Sequence, residues 1–362
     1  LEEQDDAEAT ETQDDGYRHQ ATEHAGADTS LMFPDCFPRH DNSVSRWSAA
    51  VMHCLLKVST ANRGNVLDWV RPRHSNGGNG MASSDSGSGL GRRGFVMTSL
   101  MTGFTLATQR AEAQVIHTNA TGLTVGEVQI PVSDGALPAY VARPADAPTP
   151  PVVIVIEEIF GVHEYIKDVC RRLAKLGYMA VAPELYARLA DLSSMTDPAE
   201  IMRKVILKAP DATMLTDLGA TVDWAIAHHG DPERIATLGF CRGGRDVWLF
   251  AEHDPRLKAA VAFYGPVAGP TSPIQPQTPL DLASRLKCPL LGLYGGKDPS
   301  IAPSDVYAAQ ARAKAAGQRV EIVYYPDAGH GFHADYRPSY DRADAEAACA
   351  RAIAWLKEYD VG

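Results

Sequence analysis

Six short apolar runs, each at the head of a stretch with a different rhythm, constrain this chain more than any other feature. They lie near residues 151–156, 178–182, 234–239, 258–264, 289–294 and 319–325. The first, Val152-Val153-Ile154-Val155-Ile156, has no polar position, which suits a strand covered on both faces. After it, Tyr165, Ile166, Val169, Cys170, Leu173 and Leu176 recur on one helical face. Strands alternating with helices predict the α/β class, with a mostly parallel sheet flanked by helices. Asp134-Gly135, set between Val128-Gln129-Ile130 and Ala139-Tyr140-Val141, predicts a hairpin that opens the sheet.

The ends of these strands carry the chemistry. Ile235-Ala236-Thr237-Leu238 leads into Gly239-Phe240-Cys241-Arg242-Gly243-Gly244 and then into a helix-like stretch. Strand, tight turn and helix form the setting of a nucleophile elbow, with glycines where a side chain would clash. The helix N-terminus aimed at the turn favours a thiolate or a developing oxyanion. Read alone, Cys241 is as well explained as a small buried hydrophobe.

Two later strand ends change that balance. The strand before Gly295-Gly296-Lys297-Asp298 ends on an acid, and the one before Pro326-Asp327-Ala328-Gly329-His330 ends on a histidine. Nucleophile, acid and histidine in that order match an α/β-hydrolase. His330 would hold Cys241 as thiolate or carry its proton, and Asp298 would fix the ring's tautomer. Each alone is a turn former or a loop residue; together they predict a catalytic triad. His333 competes with His330, but His330 lies between glycines directly after the strand turn. A metal held by His330 and His333 lacks a third ligand at a recognisable spacing.

After Ile156 comes Glu157-Glu158-Ile159-Phe160-Gly161-Val162. A loop at this place supplies one oxyanion amide, and the residue after the nucleophile supplies the other. The backbone amides of Ile159 and Arg242 are therefore expected to form the hole. Of the two acids, Glu158 is expected to be buried near the thiol and Glu157 to point to solvent, since two buried carboxylates are costly. Phe160 and Tyr264 are expected to line the pocket.

The chain resembles the dienelactone hydrolase (carboxymethylenebutenolidase) family of α/β-hydrolases. The resemblance rests on Glu158 to Val162, Gly177-Tyr178, Pro183 to Arg188, Gly239 to Gly244, Asp298 and Gly329-His330, and spans about residues 122 to 360. It implies a Cys241–Asp298–His330 triad, with Glu158 as an extra carboxylate that pairs with the resting cysteine and helps generate the thiolate. It further implies ester or lactone hydrolysis through an acyl-thioester, with no cofactor. The pattern departs at Ala334, where a substrate-binding arginine is expected. Arg337 is the next arginine after it, Arg203 is the nearest candidate for a second expected arginine after Tyr186-Ala187-Arg188, and Arg242 either binds an acidic substrate or starts a helix at the surface. Hydrolysis of a peptide or thioester, or binding on a hydrolase scaffold, are the other readings.

The formal charge of -11 is concentrated at one end. Residues 1–28 hold ten acidic residues and one basic, leaving the rest nearly neutral, which argues against a nucleic-acid partner. No stretch of apolar residues is long enough for a stable membrane span. Residues 1–90 read as a low-complexity extension ending in a Gly- and Ser-rich linker. Within it Met81 is a candidate natural start, with residues 1–80 an over-extension of the reading frame. Arg92-Arg93-Gly94-Phe95, a mildly apolar run and Ala111-Glu112-Ala113 predict a twin-arginine signal over 91–113 and export to the periplasm. The catalytic domain is then residues 114–362. A small ester or lactone is the expected partner; the sequence leaves the oligomeric state open, and a monomer is consistent with it. No cysteine spacing suggests a metal or a disulfide framework.

Overall fold

The computed structural model describes residues 115–362. The acidic extension, the linker and the twin-arginine segment lie outside the described residues.

β1 (Leu123–Val132) and β2 (Gly135–Pro144) form the expected hairpin, closing at Val132 opposite Gly135. β3 (Val152–Ile156), β4 (Met179–Pro183), β5 (Ile235–Phe240), β6 (Leu257–Phe263), β7 (Leu290–Gly295) and β8 (Val320–Tyr325) follow. They join one eight-stranded sheet in the order β1-β2-β4-β3-β5-β6-β7-β8. Only β1–β2 and β2–β4 are antiparallel, so the six expected apolar runs all lie parallel. Every residue of β3, β4, β5 and β7 is buried, which is why those strands show no alternation.

Helices flank this sheet. α1 (Glu164–Lys175) packs on β2 and β4, α2 (Pro198–Lys204) is a short turn-like helix, and α3 (Asp211–Ala227) lies over β3 and β4. α4 (Arg242–His253) covers β5 and β6 and touches α3. α5 (Pro279–Leu282), α6 (Pro303–Ala315) and α7 (Arg342–Glu358) complete the layers, the last packing on β6 and β7. α1 begins where His163 Nδ1 caps the amide of Tyr165, and its expected apolar face is buried at Tyr165, Ile166, Val169, Cys170 and Leu173. Among the described residues, no helix is long and apolar enough to cross a membrane.

A second, smaller apolar cluster decides where the loop after β3 sits. Ile159 packs with Tyr186, Leu192, Ile201, Val205 and Ile206, and Phe160 and Met202 lie against them. The chain between β4 and α3 therefore acts as a seat for the expected oxyanion loop.

Candidate active site

Because the six parallel strands point the same way, the loops after β3, β5, β7 and β8 leave the same edge of the sheet. Cys241 stands between β5 and α4 with φ 54° and ψ -115°, a conformation an L residue adopts only when its surroundings force it. The force is close packing. A Cβ on Gly243 would lie 2.3 Å from the Glu157 carbonyl oxygen, and one on Gly239 would lie 2.5 Å from the Gly243 carbonyl oxygen. Arg242 opens α4 directly after Cys241, so its amide has no acceptor within the helix.

His330 Nε2 lies 3.2 Å from Cys241 Sγ, and His330 Nδ1 lies 2.7 Å from Asp298 Oδ2. All three side chains are buried. Burial alone would lower the His330 pKa, but the Cys241 and Asp298 charges outweigh it and raise it to about 10. Asp298 is opposed by burial too, yet His330 and Ser300 hold its carboxyl below the usual range. Ser300 was not anticipated. Its Oγ and amide both bond Asp298 Oδ1, at 2.6 and 2.8 Å, an Asp-x-Ser turn readable from the sequence in principle.

His333, the competitor, is turned away from this cluster. Its Nδ1 bonds the Tyr165 hydroxyl at 2.7 Å, and burial, with Arg172 adding to it, pushes its pKa down to about 3. Tyr264, with φ 37°, sets its ring edge-on to His330 at 5.2 Å.

Glu158 is buried, as expected, but its bonds go to Arg337 and Tyr336. Oε1 accepts from Arg337 at 3.0 Å, Oε2 accepts from the Tyr336 hydroxyl at 2.5 Å, and His163 Nε2 lies 3.7 Å from Oε2. Burial would raise this acid, yet Arg337 and His163 bring its pKa down to about 2. Tyr336 and His163 carry no motif, and the sequence reading missed both. Arg337 in turn lies over the Phe160 and Tyr336 rings at 5.3 and 5.4 Å.

Three expectations need correction. Glu157 does not reach solvent: it is fully buried, and its Oε1 accepts the Leu185 amide at 2.9 Å. The Arg242 side chain is neither an exposed helix start nor open to an acidic substrate. It is buried, with Nε on both Asp246 oxygens at 3.0 and 3.1 Å and Nη2 3.3 Å from Asp211. Arg203 is exposed on α2, and no contact described for it reaches Cys241 or Glu158. Elsewhere, His117, Glu164 and Asp168 converge at metal-ligating range, but Arg171 already bonds both carboxylates.

The chain matches the Dienelactone hydrolase family over residues 137–360. It is 49% identical over 274 residues to a Methylorubrum extorquens protein named "Putative carboxymethylenebutenolidase", covering 75% of this chain and 94% of that one. A protein of the same name from Escherichia coli is 45% identical over 263 residues, covering 72% and 97%. The crystal structure of a "Putative Dienelactone Hydrolase" from Klebsiella pneumoniae superposes with TM-score 0.64 at 47% identity, covering 66% of this chain and 99% of that one. This chain belongs to the dienelactone hydrolase family of α/β-hydrolases.

Proposed function

We propose that the protein hydrolyses a small carboxylic ester or lactone with Cys241 as nucleophile, Asp298 and His330 completing the triad. The single observation that carries this reading is the unbroken contact from Cys241 Sγ through His330 to Asp298. The Cys241 thiol proton passes to His330, the sulfur attacks the carbonyl carbon and the π electrons move to oxygen, where the Ile159 and Arg242 amides donate to the oxyanion. Collapse expels the alkoxide, which takes the proton of the His330 imidazolium, and leaves an acyl-thioester. Water then attacks with His330 as base, the thiolate leaves, and the acid departs. Asp298 keeps the His330 ring in the tautomer and orientation that both steps use.

Cys241→Ala tests the proposal. It should abolish turnover of aryl esters and small lactones with the fold retained, while the wild type shows an acyl adduct on Cys241 by mass spectrometry. Undiminished hydrolysis by the variant would refute it.

A further inference from the structure

Two acids stand behind the loop that carries Ile159, and each reaches across to the other's segment. Glu157, at the end of β3, accepts the Leu185 amide at 2.9 Å. Glu184, directly before Leu185, accepts the Val162 amide at 3.2 Å. The exit of β3 and the exit of β4 are thus tied by a reciprocal clasp. Gly161, with φ 78°, passes so close that a Cβ there would lie 3.1 Å from Glu184 Oε2. On the far side, the Glu157 carbonyl lies against Gly243 in the first turn of α4.

We propose that Glu157 is a positioning residue: its fully buried, uncharged carboxyl group accepts the Leu185 amide and so, with Glu184 on Val162, holds the loop presenting the Ile159 amide. The inference rests on the hydrolase reading above, in which that amide meets the oxyanion. The charges around the pair fit a neutral Glu157. Glu184 and Asp246 are the charged groups that act on it, both negative, and Asp246 of α4 is already bonded to Arg242 and Arg245. Lys167 of α1 and Glu127 of β1 act on Glu184. Burial first, and Glu184 second, push the Glu157 acid well above the usual carboxylate range, and burial raises Glu184 as well. A proton on Glu157 keeps the clasp closed; a second negative charge beside Glu184 would force it open.

The test joins spectroscopy to kinetics. At pH 8 the infrared spectrum of the wild type should contain the carbonyl stretch of a protonated carboxylic acid, and Glu157→Gln should remove it. Cys241→Ala should retain it, so this result is read without turnover and separates a failed clasp from a failed hydrolase assignment. Glu157→Leu should lower kcat roughly tenfold or more with little change in KM, a part of what a lost oxyanion donor costs. Glu157→Gln, which keeps an uncharged acceptor for the Leu185 amide, should restore most of that loss. Absence of the acid band, its persistence in Glu157→Gln, or a Gln variant as slow as the Leu variant would each overturn the proposal. If Glu157→Leu does not fold, the infrared comparison decides alone.

Discussion

Glu158 is bonded to Arg337, with Oε1 3.0 Å from the guanidinium and neither side chain reaching solvent. Family resemblance led us to expect this carboxylate beside the resting thiol. Its partner Arg337 interacts electrostatically with Cys241, and the buried ion pair also gives Glu158 a stability role the sequence did not suggest.

Glu158→Gln should therefore destabilise the protein by roughly 3 kcal/mol at neutral pH, because Arg337 stays buried without its counter-charge. The sign with pH follows from the direction of the shift. A folded-state pKa held down to about 2 contributes stability above the ordinary carboxylate value and loses it as pH falls towards about 2. Denaturation of wild type and variant between pH 7 and pH 2.5 should show their difference shrinking with acid. A constant difference would mean that the pair contributes no charge-dependent stability.

Turnover should fall as pH rises through about 10, where the imidazolium of His330 loses the proton it gives to the leaving alkoxide. Asp298→Asn removes one of the charges that raise His330, so its alkaline limb should move to lower pH and kcat should drop roughly a hundredfold or more. The kcat–pH profiles of the two proteins check this. An alkaline limb shared by both would separate Asp298 from the titration.

Selection for a negatively charged substrate should be weak. Arg337 is bonded to Glu158, Arg242 to Asp246 and Asp211, and the buried Ala334 carries no charge. A charge-assisted bond contributes about 1.5–3 kcal/mol, or roughly tenfold to a hundredfold in affinity. Without one, kcat/KM for a carboxylated lactone and a matched neutral ester should agree within about tenfold. A stronger preference for the charged substrate would mean that Arg337 exchanges Glu158 for substrate, and Arg337→Met would then abolish that preference.

Export is proposed to depend on Arg92 and Arg93. Changing both to lysine should leave the precursor in the cytoplasm, whereas the unaltered chain yields a mature product starting near Gln114. N-terminal sequencing of fractionated cells measures this, and an uncleaved cytoplasmic product from the unaltered chain would exclude it.

The sheet and the Cys241–His330–Asp298 contact were legible in the sequence because both follow local rules. Fully buried parallel strands write themselves as apolar runs, and a strained elbow between close backbones admits only glycine at Gly239 and Gly243. Chain order then brought Asp298 and His330 to the same sheet edge. What the tertiary structure alone decided was the partnering of charge. Nothing in the spacing shows that Arg337 meets Glu158 across 179 residues, or that Asp211 meets Arg242 across 31. Nor does it show that Glu157 lies inward against Leu185. Hydrophobic periodicity reports which faces are buried; an ion pair or a buried acid's partner depends on ångström distances between segments that only packing brings together.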